Sequence, residues 1–117
     1  MRVKSALFVS ALIRRAFALG GFAAVDRKGA EEAGAIFVRL IGRDGRVTLY
    51  APAPQSVAAE QEDAIADDRL FECRLKDAGY DEALALLERE CRFDPDLWIV
   101  DLELDGIGDL LPVAAGE

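Results

Sequence analysis

The strongest constraint on this chain is a pair of alternating apolar segments, 35–41 and 46–51, set around Arg43-Asp44-Gly45. Asp-Gly tolerates the positive backbone angles of a type I′ turn, so the segments are expected to be antiparallel neighbours in a hairpin. Ile36, Val38 and Leu40 share one face of the first strand, and Val47, Leu49 and Ala51 share one face of the second. Pro52-Ala53-Pro54 then stops the ladder, because proline has no N–H to donate. A chain of 117 residues can fill one core around such a hairpin but would starve two, so 1–117 is expected to be a single globular domain.

The flanking segments supply partners. Over 8–19 the residues Phe8, Val9, Leu12, Ile13, Ala16, Phe17 and Leu19 fall on one broad arc of a helix, and Gly20-Gly21 ends it. A short strand over 22–27 and a polar connection over 28–34 follow. Residues 55–68 carry five carboxylates and no Arg or Lys, without a clear period, and are expected to form a mobile acidic loop. Strand alternation resumes over 70–75 through Phe71, Cys73 and Leu75. Asp81 is the expected N-cap of a second helix running to Cys91, with Ala83, Leu84, Leu87 and Cys91 as its apolar stripe. Arg89 and Arg92 suit its negative end, and Asp94-Pro95 closes it. A last strand over 97–104 turns Trp98, Val100, Leu102 and Leu104 to one side and Asp101 and Glu103 to a wet face; 106–117 reads as a weakly structured tail. Helices that do not alternate regularly with strands predict an α+β fold: an antiparallel-dominated sheet of about five strands with two helices packed on one face.

Composition removes much chemistry. The chain has no His, which excludes Ser/His and Cys/His catalysis and the commonest zinc and iron ligand sets. Cys73 and Cys91, 18 residues apart and outside any CxxC pair, read as reduced, partly buried thiols in a reducing compartment. No phosphate-loop motif occurs, and Gly106-Ile107-Gly108 meets Leu111 where a dinucleotide fingerprint needs its third glycine. Asp101, Glu103, Asp105, Gly106 and Asp109 overlap a calcium-loop pattern, but its decisive twelfth position is Pro112. A nuclease built on paired carboxylates would need a downstream Lys, and none follows Lys76. The expectation is therefore no metal and no cofactor.

Charge is unevenly spread. Residues 1–28 hold six basic side chains against Asp26 alone, a local +5, which leaves −13 on the other 89 residues and −8 overall. The basic start is expected to contact acidic protein surface, its own or a partner's. Net charge opposes a nucleic-acid partner, since no recognition helix or stacking module offsets it. The apolar run 5–13 is broken by Arg14-Arg15, too short to span a membrane and poorly formed as an export signal, so no membrane partner and a cytoplasmic location are expected. The candidate binding residues are Arg14 and Arg15 on the first helix and Tyr50, opposite Leu49 in its strand and expected to be half-exposed. Trp98 reads as a core anchor.

The segments Val9-Ser10-Ala11-Leu12-Ile13-Arg14-Arg15, Gly34-Ala35-Ile36, Leu49-Tyr50-Ala51-Pro52-Ala53-Pro54 and Phe93-Asp94-Pro95-Asp96-Leu97-Trp98 resemble the small alphaproteobacterial proteins of domain-of-unknown-function family 1491. The resemblance runs roughly from Val3 to Glu103 and departs at Ala51, where such proteins usually have Gly. It implies a bacterial, cytoplasmic, single-domain protein and brings no activity, cofactor or catalytic residue. The residues themselves read as a noncatalytic protein-interaction module, with protein partners or self-association. The alternative is a small His-independent enzyme or small-molecule-binding protein using carboxylates and Arg.

Overall fold

The computed structural model describes residues 3–54 and 69–114. Among them the elements are α1 (Ser5–Ala18), β1 (Phe22–Arg27), β2 (Ile36–Ile41), β3 (Val47–Pro52), β4 (Phe71–Ala78), α2 (Tyr80–Phe93) and β5 (Trp98–Glu103). The strands form one sheet in the order β1-β5-β2-β3-β4. Every neighbouring pair is antiparallel except β2 with β5, which is parallel. The α+β class, the five strands and the two helices packed on the sheet therefore stand as expected. The acidic stretch 55–68 lies outside the described residues.

The helices do not share a face. On one side, Ile36, Val38 and Leu40 of β2 and Trp98, Val100 and Leu102 of β5 pack with Val9, Leu12 and Ala16 of α1. On the other, Phe37, Leu49, Ala51, Leu97 and Ile99 pack with Leu87 of α2. Successive strand residues point to opposite faces, so α1 and α2 sandwich the sheet. The expected single covered face was wrong because β2 and β5 are interior strands apolar on both sides, as parallel pairs usually are.

Local chemistry explains the element ends. Helix α1 starts three residues before the expected Phe8, because the carbonyls of Glu32 and Glu31 accept the N–H groups of Ser5 and Ala6 at 3.1 and 2.9 Å. Ser5 also donates its hydroxyl to the Gly34 carbonyl at 2.6 Å. Donors that would be orphaned at a helix start are thus satisfied from the 31–34 connection. The N-cap of α2 is Gly79, without a side-chain cap; Asp81 and Glu82 sit in the first turn and act on the helix dipole instead.

The β2–β3 hairpin forms as expected, with Val38 opposite Tyr50 and Arg39 opposite Leu49. Its turn differs from the expected type I′. Asp44 has negative φ, Gly45 alone is left-handed at +83°, and Gly45 donates to the Gly42 carbonyl at 3.0 Å. This is a type I turn followed by a left-handed glycine, the usual three-residue hairpin loop.

Strand β4 breaks the expected alternation. Tyr50 pairs with Cys73 but Leu49 pairs with Leu75, so Arg74 is an extra residue. That bulge turns Phe71 toward the α1 side and Leu75 toward the α2 side, although they are four residues apart. Cys73 is exposed, contrary to the expected packed thiol, because it lies on an edge strand; Cys91 is half-buried, and both are free. The stretch expected to be a weakly structured tail is packed up to Ala114. Leu110 and Leu111 are buried on the α1 side, Phe71 donates to the Pro112 carbonyl at 2.9 Å, and Ala114 donates to the Phe71 carbonyl at 2.7 Å. Residues 115–117 lie outside the described residues.

Gly45→Ala is expected to place a side chain in the left-handed region with nothing within 4 Å to relieve or worsen it. The cost is about 1–2 kcal/mol, read as a lower urea midpoint with unchanged slope. An unchanged midpoint would contradict the turn assigned above.

Candidate binding surface

The parallel register of β2 and β5 sets Arg39 directly opposite Asp101. Arg39 is only 2% exposed. Its Nε donates to Asp101 Oδ1 at 2.7 Å and its Nη2 to Oδ2 at 3.0 Å, a bidentate pair. Asp26 of β1 approaches the same Nη2 at 3.5 Å, and the Tyr80 ring lies 5.1 Å from the guanidinium carbon. Burial alone would lower the Arg39 pKa; the hydrogen bonds and charge of Asp101, with Tyr80 and Asp26, outweigh it and hold the pKa above its ordinary value. The supposed wet face of β5 is thus half-buried at Asp101, where its carboxylate compensates a buried cation.

Arg39 and Asp26 of this cluster line a cleft of about 390 Å³ together with Leu84, Glu88, Cys91 and Ile99. The Arg39 side chain is already held by two carboxylates and a ring. Among the described residues no hydroxyl or thiol donates a hydrogen bond to a carboxylate, and no three His, Cys, Asp or Glu side chains group as metal ligands. No described helix is long and apolar enough to cross a membrane.

The three candidate residues are not brought together. Tyr50 is 8% exposed within the α1-side core, not half-exposed, because β3 is an interior strand with both faces covered. Burial, then the neighbouring Cys73, pushes its phenol pKa up. Arg15 is exposed and donates to the carbonyls of Asp109 and Leu110 at 3.1 and 3.4 Å, tying the C-terminal segment to α1. Arg14 is exposed and has no ion pair among the described residues. The basic start does meet acidic side chains of its own chain, through Lys4–Glu32 at 3.9 Å and Lys28–Glu31 at 3.8 Å. Both pairs are exposed, and such pairs contribute about 0–1 kcal/mol.

What sequence reasoning missed lies around Arg14. Leu7, Phe17 and Leu19 are 59%, 50% and 66% exposed, and Phe22 at the start of β1 is 50% exposed. The Phe17 and Phe22 rings meet edge to face with centroids 5.7 Å apart. Helix α1 contains no acidic residue, and Arg14 and Arg15 are its only charges. The apolar arc over 8–19 is broad enough to include Phe17 and Leu19, so the helical period alone does not distinguish them from the core residues.

A family model described as a protein of unknown function, DUF1491, matches residues 3–111. The chain belongs to the DUF1491 family. The solution structure of protein Atu0922 from A. tumefaciens is similar to this DUF1491 protein at 60% identity, covering 100% of this chain and 98% of that one, with a TM-score of 0.85. A crystal structure of a DUF1491 family protein from Caulobacter crescentus CB15 is similar at 31% identity, covering 97% and 99%, with a TM-score of 0.76. An NMR structure of a DUF1491 family protein from the same organism gives 31% identity and a TM-score of 0.77, covering 98% and 99%. No curated protein matches the chain.

Asp101→Ala is expected to leave Arg39 buried with only the longer ion pair to Asp26 and the Tyr80 ring, costing about 3 kcal/mol in chemical denaturation. The double variant Arg39→Met/Asp101→Leu is expected to recover most of that loss, since an apolar pair removes the stranded charge. A single-variant loss below about 0.5 kcal/mol would show that the pair carries no such role.

Proposed function

We propose that this DUF1491 protein is a noncatalytic protein-interaction module, acting in the cytoplasm and not on nucleic acid or membranes. The observation that carries the reading is the outward surface of α1 and the start of β1. Leu7 and Phe17 on α1, Leu19 just past its end and Phe22 at the start of β1 are exposed, and α1 carries Arg14 and not a single carboxylate. Exposed apolar residues gathered with arginine are typical of protein-binding surfaces, where aromatic and Arg side chains supply most of the energy. In a chain of net charge −8, a helix whose only charges are positive favours an acidic partner. Two free thiols, one of them exposed, suit a reducing compartment.

The alternative, a small-molecule-binding protein or His-independent enzyme, has the cleft beside Arg39 in its favour. It is the weaker reading, because the guanidinium there is committed to Asp101 and Asp26.

The test is a photo-reactive phenylalanine analogue placed at Phe17, and separately at Glu82 on α2, in protein expressed in A. tumefaciens cells. The reading expects a discrete protein adduct from position 17 that Arg14→Glu diminishes, and none from position 82. Equal adducts from both positions, or none from position 17, would contradict it.

A further inference from the structure

The sheet has two edges, and they are built differently. Strand β4 carries Glu72, Arg74, Lys76 and Asp77, two register shifts against β3, and a left-handed Asp77 at φ 51°. Its Phe71 end is also bridged by Val113. Charges, bulges and a covering segment are the standard defences of an edge strand. Strand β1 lacks them where it begins. Phe22-Ala23-Ala24-Val25 is uncharged and keeps a regular register with β5, and the single shift falls after Val25, where the charged Asp26 and Arg27 stand. No described segment pairs with the outer edge of β1, and Phe22 and Val25 are 50% and 40% exposed.

Resting on the protein-interaction reading, we propose that the outer edge of β1 at Phe22–Val25 receives an extended, apolar and acidic segment of a partner protein as a sixth strand. An added strand is the occupant that satisfies a row of unpaired backbone N–H and C=O groups, while its alternate side chains reach the adjoining apolar surface. Apolar surface adjoins the edge on both faces of the strand, Val25 on one and Phe22, with the Phe17 ring packed on it, on the other. Charge selects the acidic character. Arg14 and Arg27 make no ion pair with a carboxylate among the described residues, whereas Asp26 is already near Arg39. A second copy of the chain is disfavoured, because pairing β1 with β1 would bring two +5 segments together within two molecules of charge −8.

The experiment follows backbone amides of the full chain by NMR during titration with the synthetic peptide acetyl-Glu-Val-Glu-Val-Glu-Val-amide. Three comparison arms are the same peptide N-methylated at its valines, a version with Lys for Glu, and vesicles of phosphatidylglycerol. The proposal expects shifts centred on Phe22–Val25 and Phe17. It also expects binding at least about tenfold weaker for the N-methylated peptide, since two or more hydrogen bonds of about 1 kcal/mol each are lost. The Lys peptide and the Arg14→Glu protein should likewise bind more weakly. Equal binding of the N-methylated peptide, no shift in β1 at millimolar peptide, or a response to vesicles alone would overturn it. A position-17 protein adduct with β1 unmoved by peptide would sink strand addition and leave the interaction reading standing; loss of both would sink the two together.

Discussion

The parallel pairing of β2 with β5 is the constraint on which the rest of this fold depends. It joins segments about sixty residues apart, places both strands in the middle of the sheet, and requires cover on both faces. That requirement sends α1 to one side and α2 to the other. It also decides the edges: with the centre filled by β5, β2 and β3, strands β1 and β4 are left to end the sheet.

The same register creates the buried ion pair. The six-residue runs Ile-Phe-Val-Arg-Leu-Ile of β2 and Trp-Ile-Val-Asp-Leu-Glu of β5 each place one charge at the fourth position, and in the parallel ladder these charges coincide. Such a pair contributes little net stability, since desolvation offsets the attraction. Its value lies in alignment. A slip of one residue would set Arg39 against an apolar neighbour and strand two charges in the interior, so the pair selects the observed register over its alternatives.

Local signals made much of this legible. The β2–β3 hairpin, the span of β1, the apolar side of β5 and the body of both helices all follow from periods of two and 3.6 with glycine and proline at the breaks. What sequence reading missed depends on which strands become neighbours. Tyr50 reads as half-exposed and Asp101 as facing water because one strand's alternation cannot say whether a second layer covers its other side. Cys73 and Leu75 were misplaced because the Arg74 bulge has no local signature. Leu110 and Leu111 looked like tail because the groove that receives them is made by α1 and Phe71, far away in the chain. Of the candidate binding residues, Arg14 stands beside the exposed apolar surface, Arg15 faces the C-terminal segment, and Tyr50 belongs to the core.

Among the described residues the sheet thus presents one guarded edge and one open edge, and the strand-addition proposal rests on that asymmetry. Native-state hydrogen exchange of the isolated chain tests it most directly. The account predicts slowest exchange in β2 and β5, slow exchange for those β1 amides bonded to β5, and fast exchange for the amides of Phe22–Val25 that face outward. Uniformly slow exchange along the whole of β1 in the isolated chain would mean that its outer edge is already covered, and would contradict the account.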